Sequence, residues 1–210
     1  MAKDVAAVAL LGDLVGSRTT ERTRLHEAVV AAAEDVNLGV ASLSPLTTTV
    51  GDELQGVYPT LGAALEAAFS LRLALAPRWE VRFGLGGGEL RVIDAERGIQ
   101  DGSAWWSARE ALELVEEQAG RKGYASARTA IRDGREQATP QADAMVRLVD
   151  ASLARLRDGG IGTLSGMWDG LDNAETAKRE GISDSANSQR VINNDLRPLL
   201  DAMRALTTLP

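Results

Sequence analysis

An apolar run that ends in a Gly-Asp turn, VAAVALLGDLVGS, occupies residues 5–17. Val5 to Leu11 carries no charge, and a short continuous apolar run followed by a turn favours a buried strand. The run is too short to span a bilayer, which takes about 20 apolar residues, and no small-residue cleavage pattern follows it. The sequence therefore predicts a buried first strand in a cytoplasmic protein that makes no membrane contact.

The composition excludes most catalytic chemistries. The 210 residues include no cysteine and one histidine, so disulfides, thiol nucleophiles and multi-histidine metal sites within one chain are excluded. That histidine, His26, follows Leu25 on the polar side of the first predicted helix, where we expect it to be solvated. A net charge of −7, from 30 acidic and 23 basic residues, opposes nonspecific adhesion to DNA or anionic lipid. Carboxylate, hydroxyl, guanidinium and backbone N–H groups remain for function.

Hydrophobic periodicity predicts an α+β fold for the first part of the chain. Apolar residues at helical spacing predict helices over residues 20–37 and 61–75. Strands are predicted at residues 5–11, 47–50, 54–58 and 79–85. This βαββαβ order is that of the ferredoxin-like arrangement, in which helices cover one face of an antiparallel sheet.

A glycine run and a further helix follow the fourth predicted strand. Gly86-Gly87-Gly88 carries no side chain that would keep the backbone from approaching another group. A loop is predicted over residues 94–102 and a helix over residues 103–119. Residues 120–139 are polar, and a short strand at 124–131 is one interpretation of them.

The last part of the chain predicts an all-α unit. Pro140 opens a helix that Gly159-Gly160 ends, and short helical pieces follow from residue 163. We therefore place a domain boundary near Thr139. An α+β domain spans residues 1–138, and a connecting helix with an all-α domain spans residues 139–210.

Two aspartates form the candidate site. Asp13 follows the first strand and Asp52 lies in the predicted hairpin turn, so the two carboxylates can converge over one sheet edge. Paired carboxylates suit Mg²⁺ or Mn²⁺, which keep open positions for water and phosphate. Gly16-Ser17 opens toward a helix, where backbone N–H groups and a hydroxyl can hold phosphate. The alternative is a pair of ordinary turn aspartates, because Gly-Asp is common turn chemistry.

Four segments together resemble the class III nucleotidyl cyclases. Residues 11–17 resemble their first metal-binding segment, and Val50-Gly51-Asp52-Glu53-Leu54 is similar to their second Gly-Asp segment and to the GGDEF signature of diguanylate cyclases. Residues 81–88 resemble the strand that leads to the cyclase catalytic loop. Residues 102–109 are similar to the helix that supplies an asparagine and an arginine across a dimer interface. The resemblance implies a nucleotidyl-cyclase-like first domain.

The resemblance also implies a ligand site with a divalent cation held by two aspartates. The ligand-binding residues that it implies are Asp13, Leu14, Gly16, Ser17, Asp52, Glu53 and Arg109, with Asp13 and Asp52 as the metal ligands. Two departures oppose catalysis, because the cyclase pattern would place a lysine at Thr48 and an asparagine at Trp105. Loss of a group that stabilises transition-state charge typically costs ~10²–10³-fold in rate. We therefore assign no catalytic residue and expect slow turnover or none.

Two adjacent tryptophans differ in their predicted surroundings. Trp105 shares the apolar side of its helix with Leu112, whereas Trp106 lies about 100° further round the helix. We expect Trp105 in the core and Trp106 at a homodimer interface, with base stacking as the alternative role of Trp106. Without the resemblance, Arg109 is an ordinary solvated arginine.

Residues 173–186 have the layout of a helix-turn-helix. Ala174 and Ala177 pack the first helix, Gly181 takes the turn, and Ser183 caps the second helix. The second helix offers five residues to base edges and phosphates, namely Ser185, Ser188, Gln189, Arg190 and Asn193. The acidic bias after residue 163, and Asn187 at a position that usually buries a valine, favour the alternative of a packing or docking unit.

A cyclase-like first domain followed by a connecting helix and a C-terminal helix-turn-helix resembles the SatD family of bacterial proteins. The leading interpretation is a dimeric transcription regulator that binds double-stranded DNA and whose first domain binds a nucleotide or related phosphorylated ligand. Ligand binding would bias the dimer geometry through differential affinity for two states. Two alternatives stay open: an active nucleotidyl-transfer enzyme, and a protein-interaction scaffold in which the helix-turn-helix docks a partner.

Overall fold

The computed structural model describes residues 4–16, 22–49, 53–94 and 97–210. The strands are β1 (Val5–Leu14), β2 (Ser44–Thr48), β3 (Glu53–Tyr58), β4 (Val81–Asp94), β5 (Ile99–Asp101) and β6 (Thr129–Asp133). The helices are α1 (Arg22–Gly39), α2 (Leu61–Leu75), α3 (Ser103–Ala119), α4 (Gln141–Leu153), α5 (Asp158–Trp168), α6 (Asn173–Glu180), α7 (Asp184–Asn193) and α8 (Leu196–Leu206). No helix within these ranges has the length and apolarity needed to cross a bilayer.

The strands form a mixed sheet with β1 at its centre. Their order is β2-β3-β1-β4-β5 with antiparallel neighbours, and β6 pairs with β4 in parallel. Successive side chains of β1 point to opposite faces, so Val8 and Leu10 pack toward α1 and α2, whereas Ala9 and Leu11 pack toward α3. Helices therefore cover both faces of this α+β fold.

β4 is longer than the sequence predicts. The expected strand ends at Leu85, but β4 continues through the glycine run to Asp94. Gly84 and Gly86 face α3, and an added Cβ would lie 2.3 Å from the Ala108 carbonyl oxygen at Gly84 and 2.1 Å from the Ala108 nitrogen at Gly86. The glycines therefore continue the strand and form a groove that seats the α3 backbone.

Three further boundaries differ from the prediction. Residues 94–102, expected as a loop, contain β5, and β6 starts later than the short strand expected at 124–131. α4 ends at Leu153, and Gly159-Gly160, expected to end it, lies in the first turn of α5. An added Cβ at Gly159 would lie 2.7 Å from the guanidinium carbon of Arg190. Gly159 therefore lies against the end of the Arg190 side chain of α7 and does not end a helix.

A buried aspartate joins the helical part to the sheet. Asp150 of α4 is fully buried and accepts a hydrogen bond from the Arg72 guanidinium on α2. It also accepts from the backbone N–H groups of Arg128 at 2.7 Å and Thr129 at 2.8 Å. Burial raises the pKa of Asp150, and Arg72 and the N–H donors oppose that rise. Since Leu164 of α5 lies in the same apolar core as α1 and α2, the core runs across residue 139.

Candidate functional site

Asp13 lies near the end of β1, between charged residues on both neighbouring strands. It is the register partner of Glu53 on β3 and of Arg82 on β4, so the three side chains project from the face that carries α3. The Asp13 side chain is 33% exposed, and Thr47 of β2, the register partner of Gln55, is exposed on the same side of the sheet. These charges therefore lie on an open part of the sheet beside α3.

Arg109 reaches these charges from α3. Its two terminal nitrogens donate to the two carboxylate oxygens of Glu53, at 3.0 and 3.1 Å. This hydrogen bonding holds the pKa of Glu53 below its ordinary value and raises the pKa of Arg109, to which Asp13 adds a smaller Coulombic effect. The Arg109 and Glu53 side chains are 46% and 42% exposed, so the pair is open to solvent. We call Asp13, Glu53, Arg82 and Arg109 the Asp13 cluster.

Arg82 connects Asp13 to α3 on the other side. Its guanidinium lies 3.3 Å from an Asp13 oxygen and 3.1 Å from a Glu116 oxygen. The Arg82 side chain is 14% exposed, so its ion pairs are better shielded from water than the Arg109–Glu53 pair. Sequence reasoning missed Arg82 as a site residue. The available signal was strand alternation, which places Arg82 on the same face as Gly84 and Gly86.

Asp13 and Glu53 have the donor chemistry of a divalent-cation site. Carboxylate oxygens suit Mg²⁺ and Mn²⁺, and two partly exposed carboxylates leave positions for water or a ligand. Within the described ranges, no group of three or more acidic, histidine or cysteine side chains is placed to hold a metal ion. Asp52 and Ser17, both predicted for this site, lie outside the described residues. The described donors fit a cation that completes its coordination with water and ligand oxygens.

Two other predicted ligand residues flank the cluster. The Leu14 side chain is buried in the core with α1 and α2, so only its backbone can face a ligand. Gly16 is exposed and has a φ of 73°, a left-handed conformation that favours glycine. The chain therefore turns sharply three residues after Asp13.

The two positions at which the cyclase pattern departs lie away from polar contact with the cluster. Trp105 is half-buried between α3 and the sheet, and its indole nitrogen has no hydrogen-bond partner among the described residues. Thr48 pairs with Leu54, whose side chain packs in the core on the α1 and α2 side, so Thr48 lies on the face opposite Asp13.

Trp106 is 65% exposed, and its indole N–H donates to Asp101 at 3.1 Å.

α6 and α7 are short helices joined by a tight turn. The Asp172 side chain caps α6 and Glu175 returns a hydrogen bond to the Asp172 backbone, which forms a capping box. Gly181, with a φ of 66°, ends α6, and the Ser183 side chain accepts from the Ala186 N–H to cap α7. The local chemistry of the sequence therefore sets both helix ends as expected.

The contact between α6 and α7 is partly polar. Asn187 is buried, accepts from the Thr163 hydroxyl at 2.8 Å and donates to the Asn173 side chain at 3.1 Å. These bonds satisfy an amide at a position where a valine was expected. Ala174, expected in this core, is exposed, and Thr176 is buried against Gly166 of α5 instead. Hydrogen bonds therefore replace part of the predicted apolar packing.

The sequence matches the SatD family over residues 7–202. The chain belongs to the SatD family. A comparison with curated protein sequences gives no significant match. One similar solved structure is the catalytic core of a rhodopsin-guanylyl cyclase with converted specificity in complex with ATPalphaS, with 20% identity, a TM-score of 0.33, and coverage of 53% of this chain and 74% of that one. Another is a monomeric double mutant of the guanylyl cyclase domain of the RhoGC fusion protein from the aquatic fungus Blastocladiella emersonii, with 18% identity, a TM-score of 0.33, and coverage of 53% and 76%.

The five residues predicted to contact DNA have different surroundings in this SatD-family chain. Ser185, Gln189 and Asn193 are exposed on α7. The Ser188 hydroxyl donates to the Asn173 side chain at 3.2 Å. Arg190 pairs with Glu180 at 3.1 Å and donates to the Gly159 carbonyl at 3.2 Å, and its side chain is 31% exposed. Three of the five side chains are therefore open to a partner. Arg190, the only cation among the five, is already paired with Glu180 of the same chain.

Proposed function

We propose that the Asp13 cluster binds a phosphorylated ligand, with nucleotides as the leading class, together with Mg²⁺ or Mn²⁺. One observation carries this proposal: the Asp13 and Glu53 carboxylates and the exposed Arg109 guanidinium lie side by side on an open sheet face. Carboxylates bind a divalent cation, the cation binds phosphate oxygens, and a guanidinium donates to phosphate through two parallel hydrogen bonds.

The charge balance favours a phosphate that arrives with a cation. With Glu116, the cluster has three carboxylates and the two guanidiniums of Arg82 and Arg109. A bare anion would therefore meet a net negative charge, and a bound divalent cation reverses that sign. We expect nucleotide binding to depend on the divalent cation.

We expect binding without turnover. Thr48 lies on the opposite face, and Trp105 presents an apolar ring, so neither supplies a group that stabilises transition-state charge. The ligand-bound state of the protein, rather than a reaction product, would then have the regulatory effect. Product formation from ATP or GTP with Mn²⁺ that disappears in Asp13→Ala would instead support an active nucleotidyl-transfer enzyme.

Calorimetry tests this binding. ATP and GTP are titrated into the wild type with and without Mg²⁺, and then into Asp13→Asn and Glu53→Gln. Arg121→Gln is a matched control, because Arg121 is an exposed arginine just beyond the end of α3 that pairs with Glu117 and, within the described ranges, makes no contact with the Asp13 cluster. We expect cation-dependent heat in the wild type and the control, and at least about tenfold weaker binding in the two cluster variants. Absence of heat in the wild type with a broad nucleotide panel would overturn the proposal.

We further propose that α6 and α7 form a helix-turn-helix that contacts DNA as part of a homodimer. Support comes from the left-handed Gly181 between two capped helices and from the exposed polar side chains of α7, Ser185, Gln189 and Asn193. Arg190 can reach a phosphate only after it leaves Glu180. We therefore expect weak and salt-sensitive binding.

A gel-shift assay with genomic fragments at moderate salt tests the DNA contact. The wild type should shift DNA, Gln189→Ala should weaken the shift, and Glu180→Gln should strengthen it because it releases Arg190. A wild type that shifts no fragment would contradict DNA binding and would favour a protein-docking role for α6 and α7.

A further inference from the structure

Arg109 and Glu53 form a bidentate ion pair. Both terminal nitrogens of Arg109 donate to Glu53, and both Glu53 oxygens accept. We infer that Arg109 exchanges partners when the site fills: the divalent cation takes Glu53, and the released guanidinium binds the phosphate of the incoming ligand. This inference rests on the proposed function and describes how binding of the cation and binding of the phosphorylated ligand are coupled at that same site.

The two arginines of the cluster differ in how easily they can be displaced. Arg82 is 14% exposed and bridges two carboxylates, those of Asp13 and Glu116, so its position is held from two sides. The Arg109–Glu53 pair is exposed on both sides, at 46% and 42%, and exposed ion pairs contribute little to stability. Arg109 is therefore the mobile charge and Arg82 the fixed one.

The exchange predicts a specific coupling between cation and phosphate. Without phosphate, a cation that binds Glu53 must displace Arg109 from its two hydrogen bonds and leave that guanidinium with only the weaker Coulombic interactions of Glu113 and Asp13. With phosphate, the released guanidinium gains a new anion, so each ligand favours the other by the same factor. Arg109 thus opposes the binding of the cation alone and favours the binding of the two together.

Mn²⁺ binding to Arg109→Gln tests this coupling. Free Mn²⁺ is measured by its electron paramagnetic resonance signal in titrations of wild type, Arg109→Gln and the matched control Arg121→Gln. We expect Arg109→Gln to bind Mn²⁺ alone about two- to fivefold more tightly than wild type, because no guanidinium has to be displaced. We expect ATP or GTP to enhance that binding at least about fivefold less than in wild type. The control should behave like wild type.

Glu53→Gln gives the mirror-image measurement. This substitution removes the anionic partner of Arg109, so inorganic pyrophosphate with a chelator and no divalent cation should bind more tightly than to wild type. Glu117→Gln is its matched control, since it removes the partner of Arg121 with the same change of charge and should leave pyrophosphate binding unchanged. Circular dichroism confirms that each variant is folded.

Two outcomes separate this inference from the function on which it rests. If wild type binds nucleotide with Mn²⁺ but Arg109→Gln binds Mn²⁺ alone no more tightly, the exchange is wrong and the proposed function stands. If wild type binds no nucleotide with either cation, the proposed function fails and the exchange fails with it.

Discussion

Glu53 stays ionised further into acid than a free glutamate because Arg109 donates to both of its oxygens. A carboxyl group whose pKa is lowered by folding contributes stability above its ordinary pKa, 4.5 for glutamate. That contribution disappears as the pH falls through the lowered value in the folded protein. The Arg109–Glu53 pair therefore persists at neutral and mildly acidic pH.

Arg109→Ala should raise the pKa of Glu53 toward its ordinary value, because it removes the hydrogen bonds that favour the charged carboxylate. Nuclear magnetic resonance titration of the Glu53 carboxyl carbon measures this change. Arg121→Ala should leave the Glu53 pKa where it is in the wild type. An unchanged Glu53 pKa in Arg109→Ala would contradict the two-bond contact.

At the residue scale, the sequence predicted part of the site and missed part. Asp13, Glu53 and Arg109 were singled out, and the structure brings Glu53 and Arg109 into contact beside Asp13. Arg82 was missed because its role depends on the register between β1 and β4, which local sequence does not specify. His26 is exposed on α1, as its place beside Leu25 predicts.

At the element scale, α3 depends on glycines that belong to β4. An added Cβ at Gly86 would lie 2.1 Å from the Ala108 nitrogen, so α3 must move if that position gains a side chain. α3 carries Arg109, Glu116 and both adjacent tryptophans. The groove on β4 therefore positions two of the five charged side chains at the site, Arg109 and Glu116.

Gly86→Ala should destabilise the protein by about 3 kcal/mol or more, because backbone rather than a flexible side chain blocks the added methyl group. Urea unfolding followed by circular dichroism measures the change. Gly39→Ala is the matched control: a Cβ at Gly39 meets nothing within 4 Å, and stability should change by about 1 kcal/mol at most. Equal effects at the two positions would contradict the close approach of α3 to β4.

Hydrophobic periodicity predicted the helices well, whereas the ends of β4 and α4 were predicted wrongly at glycine runs. The amphipathic pattern predicted α1, α2 and α3 within a few residues of their ends. The close approach expected at Gly86-Gly87-Gly88 is present, because α3 lies against the run, but β4 continues through it rather than ending at Leu85. Gly159-Gly160, expected to end a helix, lies in the first turn of α5 instead. Glycine is compatible both with the end of an element and with its continuation, so local sequence did not specify where β4 and α4 end.

At the scale of the whole molecule, Asp150 links the helical part to the sheet. It accepts from Arg72 on α2 and from two backbone N–H groups that lead into β6, so three regions of the chain depend on one carboxylate. The shared apolar core adds to this connection, with Leu164 and Leu196 packed in the same cluster as Leu65. We expect the two parts to unfold together.

Asp150→Ala should lower the free energy of unfolding by about 3–5 kcal/mol, because it leaves the half-buried Arg72 without its partner and two N–H groups unsatisfied. Urea denaturation measures this loss. Glu117→Ala, which breaks the exposed pair with Arg121, should cost no more than about 1 kcal/mol. A loss below 1 kcal/mol in Asp150→Ala would contradict its role as the link.

A crystal structure with Mn²⁺ and a nucleotide tests most directly whether the Asp13 cluster binds a cation together with phosphate. The anomalous signal of Mn²⁺ locates the cation independently of the protein atoms. We expect one Mn²⁺ peak in contact with the Asp13 and Glu53 carboxylates, phosphate oxygens on that cation, and the Arg109 guanidinium turned from Glu53 to the phosphate. A Mn²⁺ peak elsewhere, with Arg109 still bonded to Glu53 and no phosphate beside Asp13, would contradict the account.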